Sequence, residues 1–320
     1  MNLPAARALY DAHNHLQDPW LSPHRAQIFA DLARIPLRRA VVNGTGEPDW
    51  PDVAALAREH AFILPSYGLH PWNVGNATTR WRDELRVRLD ADPRAVLGEI
   101  GLDRWMLERA RPDDPRLAGL RRASLDEQLD AFGWQLAIAA ERNLPATIHC
   151  LDAWGALVGA LQTSSRPARG FLLHAYSGST EMARVFARLG GYFSFNGCFL
   201  KDREPNPPVA SPKAGDPALA PAATGERAQP RRPTRAEVFR ELPIDRLLVE
   251  TDAPAMPLPA GRRTHALPGL ADGNPVNHPA NIGAAYAGLA EIRGIPVESL
   301  AAAVAANFAR LFGAAASAAR

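Results

Sequence analysis

The sequence predicts a closed (β/α)8 barrel, the TIM-barrel architecture. Three observations predict it. Eight short runs rich in Val, Ile, Leu and Phe recur along the chain, and amphipathic segments lie between most of them. The length of 320 residues also suits one barrel of about 250 residues with additions. Strands alternating with helices pair in parallel through right-handed crossovers. A doubly wound open sheet is the alternative arrangement.

The strands are expected at Leu9–His13, Ala40–Asn43, Phe62–Tyr67, Val96–Ile100, Ala146–Cys150, Phe171–His174, Tyr192–Phe195 and Leu247–Glu250. Each is a short apolar run bounded by turn residues or a helical pattern. The helices are expected at Arg25–Arg34, Trp50–His60, Thr79–Asp90, Leu120–Asn143, Ala153–Gln162, Glu181–Leu189 and Arg235–Glu241. Two more, Ala280–Glu291 and Val297–Phe312, would pack on the outside as C-terminal additions. Ala314–Arg320 is expected to fray.

From Arg203 to Arg235 the chain has eight prolines and almost no large apolar residue. Such a segment buries too little surface to offset the entropy of ordering it. It is expected to be a flexible insertion between the seventh strand and the seventh helix, within a single domain spanning residues 1–320.

Apolar residues make up 47% of the chain and charged residues 22%, ordinary values for a chain with a large core. The net charge of +2 excludes a polybasic binder. Lys201 and Lys213 are the only lysines. Two cysteines, Cys150 and Cys198, cannot form a disulfide framework, which favours a reducing compartment. No apolar run is long enough for a signal peptide or a membrane span, so the expectation is a cytoplasmic protein without a membrane or obligate protein partner.

In a parallel barrel the functional residues gather at the C-terminal strand ends. The first strand ends in Asp11-Ala12-His13-Asn14-His15, and side chains two apart on extended backbone share a side. Glu99 ends the fourth strand, His149 the fifth, His174 the sixth and Asp252 the eighth. Four imidazoles and two carboxylates thus converge from five strands. Burying so many ionisable groups together is costly unless a cation sits among them. The set exceeds the needs of one tetrahedral ion and suits two ions about 3.5–4 Å apart, bridged by a carboxylate. A carbamylated lysine can serve as such a bridge, but lysine is nearly absent and Glu99 stands at the expected place.

These stretches resemble the TatD family of metal-dependent hydrolases, within the amidohydrolase-like barrels. The matching motifs are DAHNHL at Asp11, GLHPW at Gly68, GEIGLD at Gly98, TIHC at Thr147, LLHAYSGS at Leu172, YFSFNG at Tyr192, LLVETDAP at Leu247 and NFARLFG near the C-terminus. The resemblance implies a two-metal phosphodiesterase acting on DNA. It implies that His13, His15 and Asp252 hold the first ion, that His149 and His174 hold the second, and that Glu99 lies between them. His70 would sit near the second ion and the substrate without ligating. This chain departs from the pattern at Leu151, where arginine is frequent, and at Val276-Asn277-His278-Pro279, where an Arg-Asn-Glu-Pro type motif is expected.

Two divalent ions against Glu99 and Asp252 leave a surplus of positive charge that draws an anionic substrate. They would activate water as the nucleophile, with Asp252 orienting it and accepting its proton. Imidazole-rich ligands favour Zn2+ or Mn2+, with Mg2+ also open. Trp20, Trp72, Trp105 and Trp154 each follow a strand end and either stack substrate bases or roof the barrel by packing on one another. His24, His60 and His265 are expected to be solvated or capping, and His278 to cap a helix or approach the mouth of the site. Cys150 should point away from the ligands as a small packing residue. Two other functions use the same residues: ester or amide hydrolysis, for example on aminoacyl-tRNA, and a non-catalytic barrel scaffold.

Overall fold

The computed structural model describes residues 8–203, 233–270 and 273–313. Eight parallel strands form one sheet in sequential order: β1 (Leu9–Asn14), β2 (Leu37–Asn43), β3 (Ile63–Tyr67), β4 (Val96–Asp103), β5 (Ala146–Leu151), β6 (Phe171–Leu173), β7 (Gly191–Asn196) and β8 (Leu247–Glu250). The helices are α1 (Arg25–Leu32), α2 (Trp50–Glu59), α3 (Trp81–Ala91), α4 (Trp105–Glu108), α5 (Leu125–Arg142), α6 (Trp154–Thr163), α7 (Thr180–Arg188) and α8 (Arg235–Glu241), followed by α9 (Ile282–Arg293) and α10 (Val297–Phe312). The predicted (β/α)8 barrel and its two outer helices are therefore present. Among the described residues no single helix is long and apolar enough to cross a membrane. The predicted insertion falls mostly on residues 204–232, and the predicted fraying tail on 314–320; both lie outside the described residues.

Strands in a parallel barrel are covered on both faces, which explains their near-continuous apolar runs. All eight residues of β4 are buried, and β6 and β7 add the fully buried rings of Phe171, Phe193 and Phe195. Boundaries differ from the sequence expectation where caps or pairing intervene. Ser124 caps α5 in a capping box with Glu127, so this helix starts at Leu125 rather than Leu120. β4 continues to Asp103 because Ile100 to Asp103 stay in register with Ile148 to Leu151.

β1 and β8 meet at the seam. At its upper end the Asp252 N–H donates to the His13 carbonyl at 2.9 Å, and the His15 N–H to the Ala253 carbonyl at 2.8 Å. Just below, Asp11 accepts from the Thr251 N–H at 3.0 Å and the Thr251 hydroxyl at 2.6 Å. Lower still, the hydroxyl of Tyr286 on α9 accepts from the Tyr10 N–H at 3.2 Å and donates to the Tyr10 carbonyl at 3.1 Å. Side chains thus satisfy backbone groups that strand pairing leaves open there.

Candidate metal centre

The six expected ligands meet above the barrel mouth. His13 Nε2 and His15 Nε2 lie 3.1 Å apart. Asp252 Oδ1 is 3.4 Å from the former and 3.5 Å from the latter. Glu99 stands at the middle. Its Oε2 is 3.4 Å from both His13 Nε2 and His15 Nε2. Its Oε1 is 2.8 Å from His174 Nε2, 3.2 Å from His149 Nδ1 and 3.4 Å from His70 Nε2. Donor atoms lie within 4.8 Å of one another in three sets: His13, His15 and Asp252; His13, Glu99 and His174; and His70, Glu99 and His149. His70 thus also reaches Glu99, at the same 3.4 Å as His13 and His15.

Local sequence explains the placement. Gly101 has φ of +146°, and a Cβ there would meet the His149 carbonyl at 2.0 Å. Only glycine lets β4 lie this close to the strand that bears His149. Asp252 has φ of +52°, a left-handed conformation that Asp tolerates better than most residues. The Nδ1 of His15 is 2.8 Å from the Asn43 carbonyl, which fixes Nδ1 as the donor and turns Nε2 toward Glu99 and Asp252.

His149 is oriented by a residue to which the sequence reading assigned no role. Asp103 Oδ2 is 3.1 Å from His149 Nε2 and accepts from Trp72 Nε1 at 2.6 Å, while Oδ1 accepts from the Met106 N–H at 2.9 Å. Gln128 then grips the Asp103 backbone on both sides, at 2.7 and 3.1 Å. The available signal was Asp103 closing the GEIGLD run, two residues beyond a glycine.

The electrostatics fit a cation. Burial opposes charge on His13, but Glu99 and Asp252 prevail and push it up to about 9. Burial likewise opposes His149, which Asp103 and Glu99 raise to about 10. His174 falls to about 4 through burial and the neighbouring His13. Glu99, which burial alone would raise, is held well below the carboxylate range by His174, His70 and His13. Beneath this layer burial raises Glu250 to about 8, where Ser194, Asn196 and the Ala175 N–H contact it. Buried carboxylates that keep their charge, facing imidazoles whose inward nitrogens hold protons a cation can displace, make a donor set for divalent ions.

A cavity of about 460 Å3 opens onto the ligands, walled by His70, Trp72 and Asp49 among others. Trp72 packs against Trp105 with ring centroids 6.2 Å apart, and the Arg116 guanidinium covers Trp105 at 4.3 Å. Trp154 packs on Tyr176 and Phe186, whereas Trp20 is half exposed. Of the remaining histidines, His60 stacks on Phe29 at 3.8 Å, and His265 lies tilted against His278 with centroids 5.1 Å apart. His278 is fully buried and its Nδ1 accepts from the Ala280 N–H, so it caps the turn into α9. Cys150 is buried, and burial pushes its thiol up.

Residues 10–313 match the family described as TatD related DNase. An uncharacterized metal-dependent hydrolase of Bacillus subtilis, YabD, is 27% identical over 310 residues, 95% of this chain and 98% of that protein. The 3'-5' ssDNA/RNA exonuclease TatD of Escherichia coli is 24% identical over 315 residues, 95% of this chain and 99% of the relative. Among solved structures, the TatD homolog YjjV of Escherichia coli superposes with a TM-score of 0.72 at 25% identity, covering 95% of this chain and 97% of the other. A TatD family hydrolase from Entamoeba histolytica shares the fold, with a TM-score of 0.70 at 16% identity and coverage of 96% and 99%.

Proposed function

The chain belongs to the TatD-related DNases, metal-dependent hydrolases, and from that premise we propose that it cleaves phosphodiester bonds of DNA with two divalent ions. His13, His15 and Asp252 would hold one ion and His149 and His174 the other, with Glu99 shared. The observation that carries this reading is the Glu99 carboxylate, which turns Oε2 to His13 and His15 and Oε1 to His149 and His174. Zn2+, Mn2+ or Mg2+ would supply a Lewis acid that acidifies water and offsets charge on the phosphoryl oxygens.

The chain's own residues do the rest. Asp252 turns Oδ1 toward the imidazoles of His13 and His15, and accepts the proton of the attacking water. Glu99 stays ionised and keeps the two histidine sets in register. His70 supports a substrate role rather than ligation: its Nδ1 accepts from the Trp72 N–H at 3.2 Å. A neutral ring so bonded carries its proton on Nε2, which can donate to a phosphoryl oxygen but not bind a cation. Trp72 and Trp105 form a wall on which a base can stack. The reading extends to a single-domain cytoplasmic enzyme, which its two free cysteines support.

The test is a panel of single-stranded DNA, a small phosphodiester, an ester and an aminoacyl compound. The protein is stripped with chelator and reloaded with Mn2+, Zn2+ or Mg2+. Metal-dependent DNA hydrolysis, reduced at least a hundredfold by Glu99→Gln, is expected. Turnover of the aminoacyl or ester compound alone would replace this reading with ester or amide hydrolysis.

A further inference from the structure

Two cavities reach the same ligands. The larger, about 460 Å3, and a smaller one, about 210 Å3, share His149, His174 and Asp252. Their other walls differ in chemistry. The larger offers Trp72 with Gln17, Thr45, Asp49 and Asn73, and among the described residues that line it there is no arginine or lysine. It also presents Asp18. Such walls suit a base and a sugar and repel a second phosphate.

The smaller cavity is the reverse. Leu151 at the end of β5 and Met256 give it an apolar side, Ser177 offers a hydroxyl, and Arg235 at the start of α8 also lines it. The Arg235 guanidinium lies over the Phe199 ring at 5.1 Å, which holds the head group on this wall. Among the described lining residues Arg235 is the only arginine or lysine in either cavity. On this wall β5 contributes the apolar Leu151, and the cation comes from α8.

From this asymmetry we infer that Arg235 is a substrate-binding residue that grips the phosphate next to the scissile one. The terminal nucleoside occupies the larger cavity and the continuing strand leaves through the smaller. The inference rests on the phosphodiesterase reading and narrows its substrate class to strands with at least two phosphates. A guanidinium recognises phosphate through paired N–H donors that an ammonium cannot reproduce.

The experiment compares thymidine dinucleotide with the same dinucleotide phosphorylated at its 5′ or its 3′ end, using Mn2+-loaded enzyme. Wild type should prefer one phosphorylated form by about tenfold in kcat/KM, mainly through KM. Arg235→Gln should abolish that preference and Arg235→Lys should keep part of it, with metal content equal in all three proteins. Because both variants change an exposed side chain, thermal melts should stay close to wild type. No preference in wild type, or a preference that survives Arg235→Gln, overturns the inference while leaving hydrolysis intact. If wild type cleaves none of the three, the phosphodiesterase reading itself falls.

Discussion

The N–H of Asp252 donates to the carbonyl of His13 at 2.9 Å, so the barrel seam closes through two residues whose side chains face the candidate metal centre. Backbone and side chain of Asp252 thus have separable duties. Asparagine tolerates the same left-handed φ and keeps the same N–H. Asp252→Asn should therefore fold with a near-native Tm, yet lose roughly 100- to 10,000-fold in kcat, the usual worth of a general base. A variant with wild-type turnover would remove Asp252 from the chemistry.

Metal loading should expel protons. With only protein groups around them, His13 stands at about 9, His149 at about 10 and His15 well above its ordinary 6.5. At pH 7 these rings are protonated and must become neutral to ligate, releasing on the order of two to three protons per chain. Calorimetry in buffers of different ionisation enthalpy measures the number. The sign for stability follows from the same shifts. In chelated protein the raised values add stability that is fully present below about pH 6.5 and is lost as pH rises through 9 to 10. Loaded protein should not show that loss; equal alkaline profiles would contradict the ligand set.

Asp103 should act on one half of the centre only. It touches His149 and Trp72 and neither His13 nor His15. Asp103→Asn is expected to weaken the second ion about 10- to 100-fold and leave the first unchanged, since partners of a ligating histidine typically carry that weight. Mn2+ titration resolves the two steps. An equal loss at both would mean that the variant disturbs the barrel rather than one ring.

His278 makes a prediction about acid. It is buried, and burial with the neighbouring His265 lowers it to about 4 despite Asp31 at 3.4 Å. The unfolded chain takes up this proton first, so stability is full above about pH 6.5 and declines as pH falls toward 4. His278→Asn keeps an acceptor for the Ala280 N–H and removes the titration. Between pH 7 and 4.5 urea unfolding should show wild type losing about 1–3 kcal/mol more than the variant. Parallel curves would refute it.

Strand order and the six converging side chains are legible in the sequence because parallel strands are apolar throughout and end in polar residues. Glu99, His149 and Asp252 announce themselves by ending such runs. Asp103 does not, because its partners Trp72 and Gln128 come from loops and a helix distant in sequence, and only the closed barrel brings them together. His278 is half legible: its place before Pro279 suggests a cap, but its burial against Asp31 depends on how α9 docks. Arg235 gives no local signal at all. Its meaning depends on the cavity that it shares with Leu151.

The clamp of Tyr286 on Tyr10 spans 276 residues of chain. During synthesis β1 emerges early, yet its seam partners, β8 and α9, arrive only when most of the polypeptide has been made. Contacts of such long sequence separation are slow to form, and an unpaired strand edge invites association in the interval. The last step of maturation is therefore the meeting of the two ends of the barrel. Because His13 and Asp252 sit on that joint, the candidate metal centre is complete only once the fold is.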